Sequence, residues 1–539
     1  MKCQRFIFIA MAMLFALTSV AQAHFVWVVR NGDRIELRFS ESGESVEPEL
    51  LKKIAGAKAW ERVPGEGRSL VSQEIALTLQ GDSLSGTFTD KAQSVLVSCD
   101  YGVVTKGDAT FQLKYLAKTY MSPLPGDWKA AKDTEHLPVE ITPHWNGSKL
   151  VLTVSVNGHA TEGLEVASLG CGAEETLKTD AKGQVTLEPK ANGLLSVRAK
   201  FAETASGEVD GKKFDSVRTY STLTLPVTLP AVQTIAHKLA PLPAGTTSFG
   251  AAIAGDFVYV YGGQVGGAHH YFAEGQSGDL QRLSLKNESA GWEKLAGGPR
   301  LTGLAMVEFG GKLYRVGGFM AKNKEDEDQS LWSQDSFACF DPSTGAWTDL
   351  PAMPSGRSSH DAAVINGKLY VVGGWNMQGP DTTWHTTALC CDLTQPELKW
   401  TELPAPGFTR RAVSLAENKG KLYVIGGMTD SDEITMAVSV FDPATQTWSD
   451  ASAILGSGME GFGTSCFSAN GRLVVTSMSG AVQTLREDGS GWDYAGQIAE
   501  SRFFHRQLTT ADGKILIIGG GSMQAGKRTS VELLQFAGR

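Results

Sequence analysis

The chain has 539 residues, of which 58 are acidic and 49 basic, and its formal net charge at neutral pH is −9. This negative charge disfavours nucleic acids and anionic membranes as partners. The seven cysteines include no Cys-x-x-Cys pair, which argues against a zinc ribbon or a redox motif. A chain of this length does not need disulfide bonds to fold, and we expect buried free thiols.

Residues 1–23 have the pattern of a secretory signal peptide. Lys2 and Arg5 form a basic start, residues 6–17 form an apolar run, and Ala21-Gln22-Ala23 is a small-x-small cleavage site. The apolar run is too short to span a bilayer, which takes about 20 residues. No other stretch is long and apolar enough to do so. The sequence therefore predicts an exported protein, periplasmic or extracellular, without a transmembrane segment.

Strand-like runs separated by turns fill residues 24–229. We predict an N-terminal β domain over 24–122, a polar linker after it, and a compact β-sandwich over 138–229. The turn and strand at 179–186 resemble the transthyretin-like and immunoglobulin-like sandwiches that act as spacers in exported proteins.

A repeated unit occupies the C-terminal half: an apolar strand that ends in Gly-Gly, followed about 20–30 residues later by a Trp. A period near 50 residues with four strands per unit predicts a β-propeller. The Gly pairs begin at Gly262, Gly317, Gly373, Gly426 and Gly519, and the tryptophans are Trp292, Trp347, Trp400, Trp448 and Trp492.

These repeats resemble the kelch family, and they count to six. The double-length gap before Gly519 holds a degenerate fifth unit, in which Ser477-Met478 replaces the Gly pair. The last unit lacks a fourth strand, whereas the segment 233–243 aligns with an outer strand and has Ala236 in the Trp position. We therefore predict that this segment closes a ring over 233–539, which leaves no free sheet edge. The predicted fold class is all-β: a six-bladed kelch propeller preceded by β-sandwich domains.

The N-terminal region also resembles an exported bacterial domain family associated with nickel and cobalt uptake. Four short segments carry this resemblance: His24-Phe-Val-Trp27, Tyr101-Gly-Val103, the run 111–118 and the run 218–225. The resemblance implies a role near metal ions, without naming a ligand set.

His24 is a candidate metal ligand, because cleavage after Ala23 would make it the first residue. A terminal His offers its α-amine and a ring nitrogen to one ion, and a second His would complete a three-nitrogen site suited to Cu or Ni. The alternative is that these histidines are ordinary surface residues. The candidate partners are His136, His144 and His159.

The inner-strand ends of the propeller form a second candidate site. In the alignment of the six units, four blades place an Arg at one mouth of the central channel, and guanidinium groups bind carboxylates. The alternative is that these arginines bond loop carbonyls as part of the repeat. The candidate ligand-binding residues are Arg300, Arg357, Arg410 and Arg502, and the candidate acid–base residues are His360, Glu460 and His505.

Two further features lie in loops of the propeller. The pair His269-His270 follows the first Gly-Gly, and the acidic run 325–328 lies in the second unit. We interpret both as solvated loop residues, with metal binding as the alternative.

Three functions remain open on the sequence. The first is an exported binding or cell-envelope protein whose propeller binds a protein or glycan ligand, anionic if the arginines contact it. The second is an enzyme that resembles sialic acid mutarotases, with Arg holding an acidic sugar and His or Glu moving protons. The third is capture of Ni, Co or Cu through the N-terminal region. The lack of an evident catalytic set favours binding over catalysis.

Overall fold

The computed structural model describes residues 24–66, 69–146, 149–235, 239–287 and 289–537. Within these residues strands dominate, which confirms the all-β prediction. No helix among them is long and apolar enough to cross a membrane. The predicted signal peptide and Ala236 lie outside the described residues. The described helices are short 3-10 segments: Pro48–Ile54, Pro125–Asp127, Ala273–Gly275 and Gly458–Gly461.

Three stacked sheets form the N-terminal region. The first sheet has the order Phe25–Asn31, Arg34–Ser40, Ser83–Thr87, Thr78–Gln80. The central sheet has the order Thr176–Lys178, Glu165–Leu169, Gly193–Val209, Lys212–Val227, Ala109–Tyr120, Ser94–Lys106, Lys58–Pro64, Leu70–Ile75. The third sheet contains His159–Ala160, Lys149–Val156, Gln184–Leu187 and Val139–Asn146.

The central sheet is buried on both faces, because successive side chains of a strand point in opposite directions. In the strand Ser94–Lys106, Val95 and Val97 belong to the core shared with the first sheet. Leu96, between them, belongs to the core shared with the third sheet. Two separate apolar cores therefore stabilise one three-layer unit.

The structure joins the two N-terminal domains that the sequence analysis treated as successive units. The strand Lys212–Val227 runs parallel to Ala109–Tyr120, with Ser216 opposite Phe111 and Thr224 opposite Thr119. Parallel pairing between strands so far apart in the chain produces no pattern in the local sequence that would predict it. The segments 24–122 and 138–229 are thus two parts of one sheet stack.

Six four-stranded sheets form the propeller. Blade one consists of Gly250–Ala254, Phe257–Tyr261, Leu280–Ser284 and Glu293–Leu295. Blade two consists of Ala305–Phe309, Lys312–Val316, Phe337–Asp341 and Ala346–Leu350. Blade three consists of Asp361–Ile365, Lys368–Val372, Leu389–Asp392 and Trp400–Glu402. Blade four consists of Ser414–Asn418, Lys421–Ile425, Val438–Asp442 and Thr447–Ala451. Blade five consists of Ser465–Ala469, Arg472–Thr476, Ala481–Leu485 and Trp492–Gln497. Blade six consists of Arg506–Thr509, Ile515–Ile518, Val531–Phe536 and Val232–Thr234.

The first and last segments of the propeller pair to close it. Val232–Thr234 lies antiparallel to Val531–Phe536, with Val232 opposite Phe536. The outer strand of blade six is therefore shorter than the segment 233–243 that the alignment suggested, and it begins one residue earlier.

The repeated tryptophans bond five of the six blades to the chain of the preceding blade. Trp347 donates its Nε1–H to Ala296 O at 2.8 Å, and Trp448 donates to Pro404 O at 2.8 Å. Trp292, Trp400 and Trp492 make the corresponding bonds to Ala240 O, Pro351 O and Ser452 O. The periodic Trp thus combines apolar contact with a directed hydrogen bond, as half-buried indoles commonly do.

Candidate ligand-binding site

A cavity of about 370 Å³ opens at one mouth of the propeller channel. Insertions in blades two and three form a small sheet beside it. The side chain of Gln276 links blade one to this sheet, because it donates to Phe319 O and accepts from Ala321 N. Four residues of this sheet line the cavity: Phe319, Leu331, Trp375 and Met377. The strands of this extra sheet are Phe319–Ala321, Leu331–Ser333, Trp375–Gln378 and Asp381–Trp384.

A ring of six equivalent residues surrounds the floor of the cavity, one from each blade. All six have φ between 51° and 66°, and five of them donate a backbone N–H to the carbonyl of the preceding blade at 2.7–3.1 Å. The corresponding bond from Gly463 N–H to Ala412 O is absent among the described backbone hydrogen bonds. Because this conformation recurs in every blade, it belongs to the architecture of the ring. The six residues are Ser248, Gly303, Ser359, Ala412, Gly463 and Phe504.

Three of the four predicted ligand-binding arginines are buried structural groups. Arg357 is 1% exposed and donates to Gly373 O, Thr387 O and Thr387 Oγ1 at 2.8–3.0 Å. Burial lowers the pKa of Arg357 to about 10. The alternative interpretation, in which these arginines bond carbonyls of the repeat, is therefore the correct one for this residue.

Arg410 and Arg502 repeat this arrangement. Arg410 donates to Gly426 O, Ala437 O and Ser439 Oγ. Arg502 donates to Gly519 O and Ser530 O and is paired with Glu532. Each guanidinium thus reaches the first glycine of the Gly-Gly in its own unit.

Arg300 also lies outside the mouth. It is exposed, donates to Ala273 O at 2.9 Å, and lines a different cavity beside Thr246 and Asp279. The predicted ring of arginines at the mouth is therefore wrong.

Arg411 is the cation of this cavity, and the sequence analysis missed it. Its guanidinium lies 4.1 Å from the ring centre of Trp375, its Nη2 lies 3.0 Å from Met428 Sδ, and its Nε has no hydrogen-bond partner among the described residues. Neighbouring side chains of an extended segment point in opposite directions. Because Arg410 points into the blade, Arg411 faces the mouth. The two adjacent arginines in the sequence were therefore the signal that could have indicated a cation at the cavity.

The candidate acid–base residues His360 and His505 lie at the floor of the cavity. They are 3% and 2% exposed. Burial, together with the nearby Arg357, lowers the pKa of His360 well below its ordinary value. Burial, together with Arg502 and Arg506, lowers the pKa of His505 to about 3. Both imidazoles are therefore neutral at physiological pH.

Arg506 closes the bottom of the cavity. Its Nη1 lies 2.8 Å from Asp361 Oδ1, and it also donates to Phe249 O and Leu304 O. Beyond this ion pair a second cavity of about 400 Å³ follows the channel to the opposite mouth. Asp361 offsets the charge of Arg506, and no Asp or Glu is among the described residues that line the upper cavity. Arg411 is thus the cation available to a ligand.

Glu460 does not reach this cavity. Its carboxylate accepts hydrogen bonds from Ser477 and Ser479, which lie between the second and third strands of blade five. The three predicted acid–base residues are therefore not brought together.

The loop features of blades one and two lie near the mouth. His269 lines the cavity, and His270 Nε2 lies 2.8 Å from Glu325 O. The acidic run 325–328 is exposed.

The candidate metal ligands of the N-terminal region have other neighbours. His24 Nε2 lies 2.7 Å from Glu47 Oε2, and His136 Nδ1 lies 2.9 Å from Asp133 Oδ2. His144 and His159 are exposed. In the part of the chain that the structure describes, no group of three or more His, Cys, Asp or Glu residues is arranged to hold a metal ion. A copper or nickel site at a terminal His24 stays a prediction.

Comparison with known proteins agrees with the fold of the C-terminal half. The profile described as "KLHDC2/KLHL20/DRC7 Kelch-repeats domain" matches residues 249–477. This part of the chain is a kelch-repeat domain. The prediction of kelch repeats is thereby confirmed. The nickel and cobalt resemblance of the N-terminal region stays a prediction.

Two relatives and one solved structure are each similar to a part of this chain. The chain is 27% identical over 212 residues to "Kelch repeat and BTB domain-containing protein 12" of Danio rerio, which covers 37% of this chain and 33% of that protein. It is 26% identical over 239 residues to "N-(sulfonatooxy)prop-2-enimidothioate sulfolyase" of Thlaspi arvense, covering 40% of this chain and 65% of that one. The solved structure of YjhT is similar at 18% identity and a TM-score of 0.45, covering 55% of this chain and 96% of that one.

Proposed function

We propose that this protein is a binding protein whose kelch-repeat domain holds an anionic ligand, an acidic sugar of a glycan, in the mouth cavity. The cavity combines one available cation, Arg411, with neutral polar groups on its floor and aromatic side chains on its wall. Ligand sites of this kind use a few polar groups to orient a ligand and apolar surface to desolvate it.

The observation that carries the proposal is a concentration of buried polar atoms that have no hydrogen-bond partner among the residues that the structure describes. Buried polar groups are normally hydrogen-bonded, and exceptions require an explanation. Six such atoms belong to residues that line this one cavity, and an oxygen-rich ligand would satisfy them. They are Thr302 Oγ1, Trp375 Nε1, Arg411 Nε, His505 Nδ1 and both ring nitrogens of His360.

The electrostatics of the floor favour binding over acid–base catalysis. An efficient general acid or base has a pKa near the working pH. His505, with its pKa lowered to about 3, is a weak base, and Glu460 lies away from the cavity. None of the three predicted acid–base residues therefore combines a place at the cavity with a pKa near the working pH.

The proposal extends to an exported location, periplasmic or extracellular. Its support is the signal-peptide pattern of residues 1–23, together with a β-sandwich region before the propeller. N-terminal sequencing and metal analysis of the protein recovered from its native compartment would test the export hypothesis and the His24 metal hypothesis together.

Binding to a panel of acidic and neutral sugars, measured by titration calorimetry on the full chain, tests the proposed ligand class. Arg411→Ala should weaken binding of the acidic sugar about tenfold or more, because a charge-assisted hydrogen bond contributes about 1.5–3 kcal/mol. Arg411→Lys should retain part of the affinity. Arg300→Ala, an exposed Arg outside the cavity, is the matched control and should bind like the wild type.

Two results would contradict the proposal. One is equal affinity of the wild type and Arg411→Ala for every acidic ligand. The other is binding of neutral sugars alone. Kelch domains generally bind proteins, so an acidic peptide is the second probe, and retention of that peptide alone would replace the glycan with a protein ligand.

A further inference from the structure

Blade one differs from three other blades at the position of the buried arginine. In blades three and four, this residue lies two places before a positive-φ residue of the cavity floor, and its carbonyl accepts a hydrogen bond from the second glycine of the preceding blade. Arg357 and Arg410 are the two residues concerned. Thr246 of blade one meets both criteria, because it lies two places before Ser248 and its O accepts from Gly520 N–H at 2.9 Å. Thr246 therefore takes the place of an arginine of the repeat.

A cavity of about 410 Å³ lies beside Thr246. The Thr246 hydroxyl donates to Ala244 O at 2.9 Å, so this short side chain bonds to its own loop and does not extend to the Gly-Gly turn. Leu242 and Val260, both buried, form an apolar part of the lining. Such a lining suits the methylene stem of an arginine, which packs on apolar surface while its charged head contacts polar groups.

The acceptors that hold Arg410 in blade four have equivalents in this cavity. Gly262 N–H donates to Asp279 O at 3.1 Å, and the same bond joins the equivalent residues of blade four at 3.0 Å. This bond aligns the two blades residue by residue. The residues at the positions of Gly426, Ala437 and Ser439 are therefore Gly262, Asp279 and Gln281, and all three line the cavity.

Two side chains of blade one add acceptors to these carbonyls. Gln281 Oε1 is buried and has no hydrogen-bond partner among the described residues. The Asp279 carboxylate is 40% exposed and lies 2.9 Å from Lys294 Nζ. An exposed pair of this kind contributes little free energy, so an entering cation can replace Lys294. A guanidinium has five N–H donors in a rigid fork and no acceptor, which matches this set of oxygens.

Arg300 is the other charged residue in the described lining of this cavity. It is exposed, and its Nη1 donates to Ala273 O at 2.9 Å. Its guanidinium is thus bonded to a neighbouring loop.

The two other blades without this arginine have apolar side chains at the equivalent place. In blade two the equivalent residue is Leu301, which is fully buried. In blade five it is Gly461, and Leu124 from outside the propeller packs against Ala481. Ala481 O accepts from Ser477 N–H, the bond that marks this position in the other blades. The molecule thus already contains one such recess filled by a side chain from outside its blade.

We propose that the blade-one cavity binds a guanidinium group presented by another molecule. The bound group completes a further copy of the arrangement that Arg357, Arg410 and Arg502 make within their own blades. The described linings of this cavity and of the mouth cavity share no residue, so the site is independent of the anionic ligand proposed above. An arginine side chain of a partner protein and a small guanidino compound have this chemistry in common.

Titration calorimetry of the full chain with a capped Gly-Arg-Gly tripeptide and with agmatine tests the proposal. We expect saturable binding at one site, and binding of a capped Gly-Lys-Gly tripeptide at least about tenfold weaker, because an ammonium lacks the planar fork. Thr246→Arg should abolish binding, since its own guanidinium then occupies the acceptors. Asp279→Asn should weaken binding about tenfold through loss of a charge-assisted hydrogen bond. Asp256→Asn, which breaks another exposed Asp–Lys pair of blade one, is the matched control and should bind like the wild type.

Three results would overturn the proposal: no saturable binding of either guanidinium probe, equal affinity for the Arg and Lys tripeptides, or wild-type affinity in a folded Thr246→Arg. Thermal unfolding shows whether that variant folds. If it does not, Gln281→Leu decides, since it removes one acceptor and should weaken binding about fivefold, and unchanged affinity would overturn the site. Binding of agmatine without the Arg tripeptide would support the guanidinium site and identify a small molecule as its source. Binding of both would support an arginine side chain.

Discussion

Arg506 and Asp361 form an ion pair, with Nη1 2.8 Å from Oδ1, that joins blades six and three across the axis of the propeller. The same Arg donates to Phe249 O of the blade-one segment and to Leu304 O before blade two, and Asp361 Oδ2 accepts from Leu415 N of blade four. One pair of side chains thus connects five blades and separates the upper cavity from the lower one.

Asp361→Asn should destabilise the propeller by about 3 kcal/mol, since removal of one partner leaves a buried charge without compensation. Chemical denaturation of the purified chain measures this loss. The matched control is Asp256→Asn, which breaks the exposed pair with Lys286 and should change stability by about 0–1 kcal/mol. Equal losses of unfolding free energy in the two variants would show that the Arg506–Asp361 pair stabilises the propeller no more than an exposed ion pair does.

Arg357→Ala and Arg411→Ala should have opposite consequences. The first removes three hydrogen bonds to the chain around Gly373 and Thr387, and should lower stability by about 2–4 kcal/mol. The second removes a group whose Nε has no hydrogen-bond partner within the described part of the chain, and it should impair ligand binding with little change in the unfolding midpoint. Thermal unfolding and ligand titration of both variants distinguish these outcomes, and a stable Arg357→Ala would contradict the structural assignment.

Gly463→Ala should destabilise the ring at the mouth. A Cβ there would lie 2.9 Å from Phe504 N, and φ is +60°. Gly407 has a similar φ of +72° but open space around it, so Gly407→Ala isolates the backbone strain, about 1 kcal/mol. We expect a clearly larger loss of unfolding free energy for Gly463→Ala. Similar losses of unfolding free energy in the two variants would mean that the backbone around Phe504 shifts to accommodate the added Cβ at little cost.

Stability should fall as pH drops from about 6.5 towards 3, in part because of His505. Its folded-state pKa is about 3 against an ordinary value of 6.5, so the unfolded chain takes up the proton first as pH falls. His505→Gln should therefore show a shallower acid slope of unfolding free energy than the wild type. The exposed His159→Gln should keep the wild-type slope, and a matching decrease in both variants would refute a specific role for the buried imidazole.

Part of the candidate site was predictable from the sequence. His360 and His505 follow from the alignment of equivalent positions, because each blade places that position at the inner strand. The arginines were misassigned because alignment gives the position of a residue in the repeat and not the direction of its side chain. Arg357 and Arg410 bond the Gly-Gly turn of their own blade, whereas the neighbouring Arg411 lines the cavity.

The repeat, the number of blades and the degenerate fifth unit were determined by the sequence alone, because each unit carries a local pattern of strand, Gly-Gly and Trp that recurs along the chain. Tertiary structure decided three other properties. Phe111 and Ser216 are neighbours in one sheet, Arg506 pairs with Asp361 across the channel, and Leu124 packs against Ala481 and Tyr494 of blade five. These contacts join residues that are distant in sequence, and no local periodicity encodes such a contact.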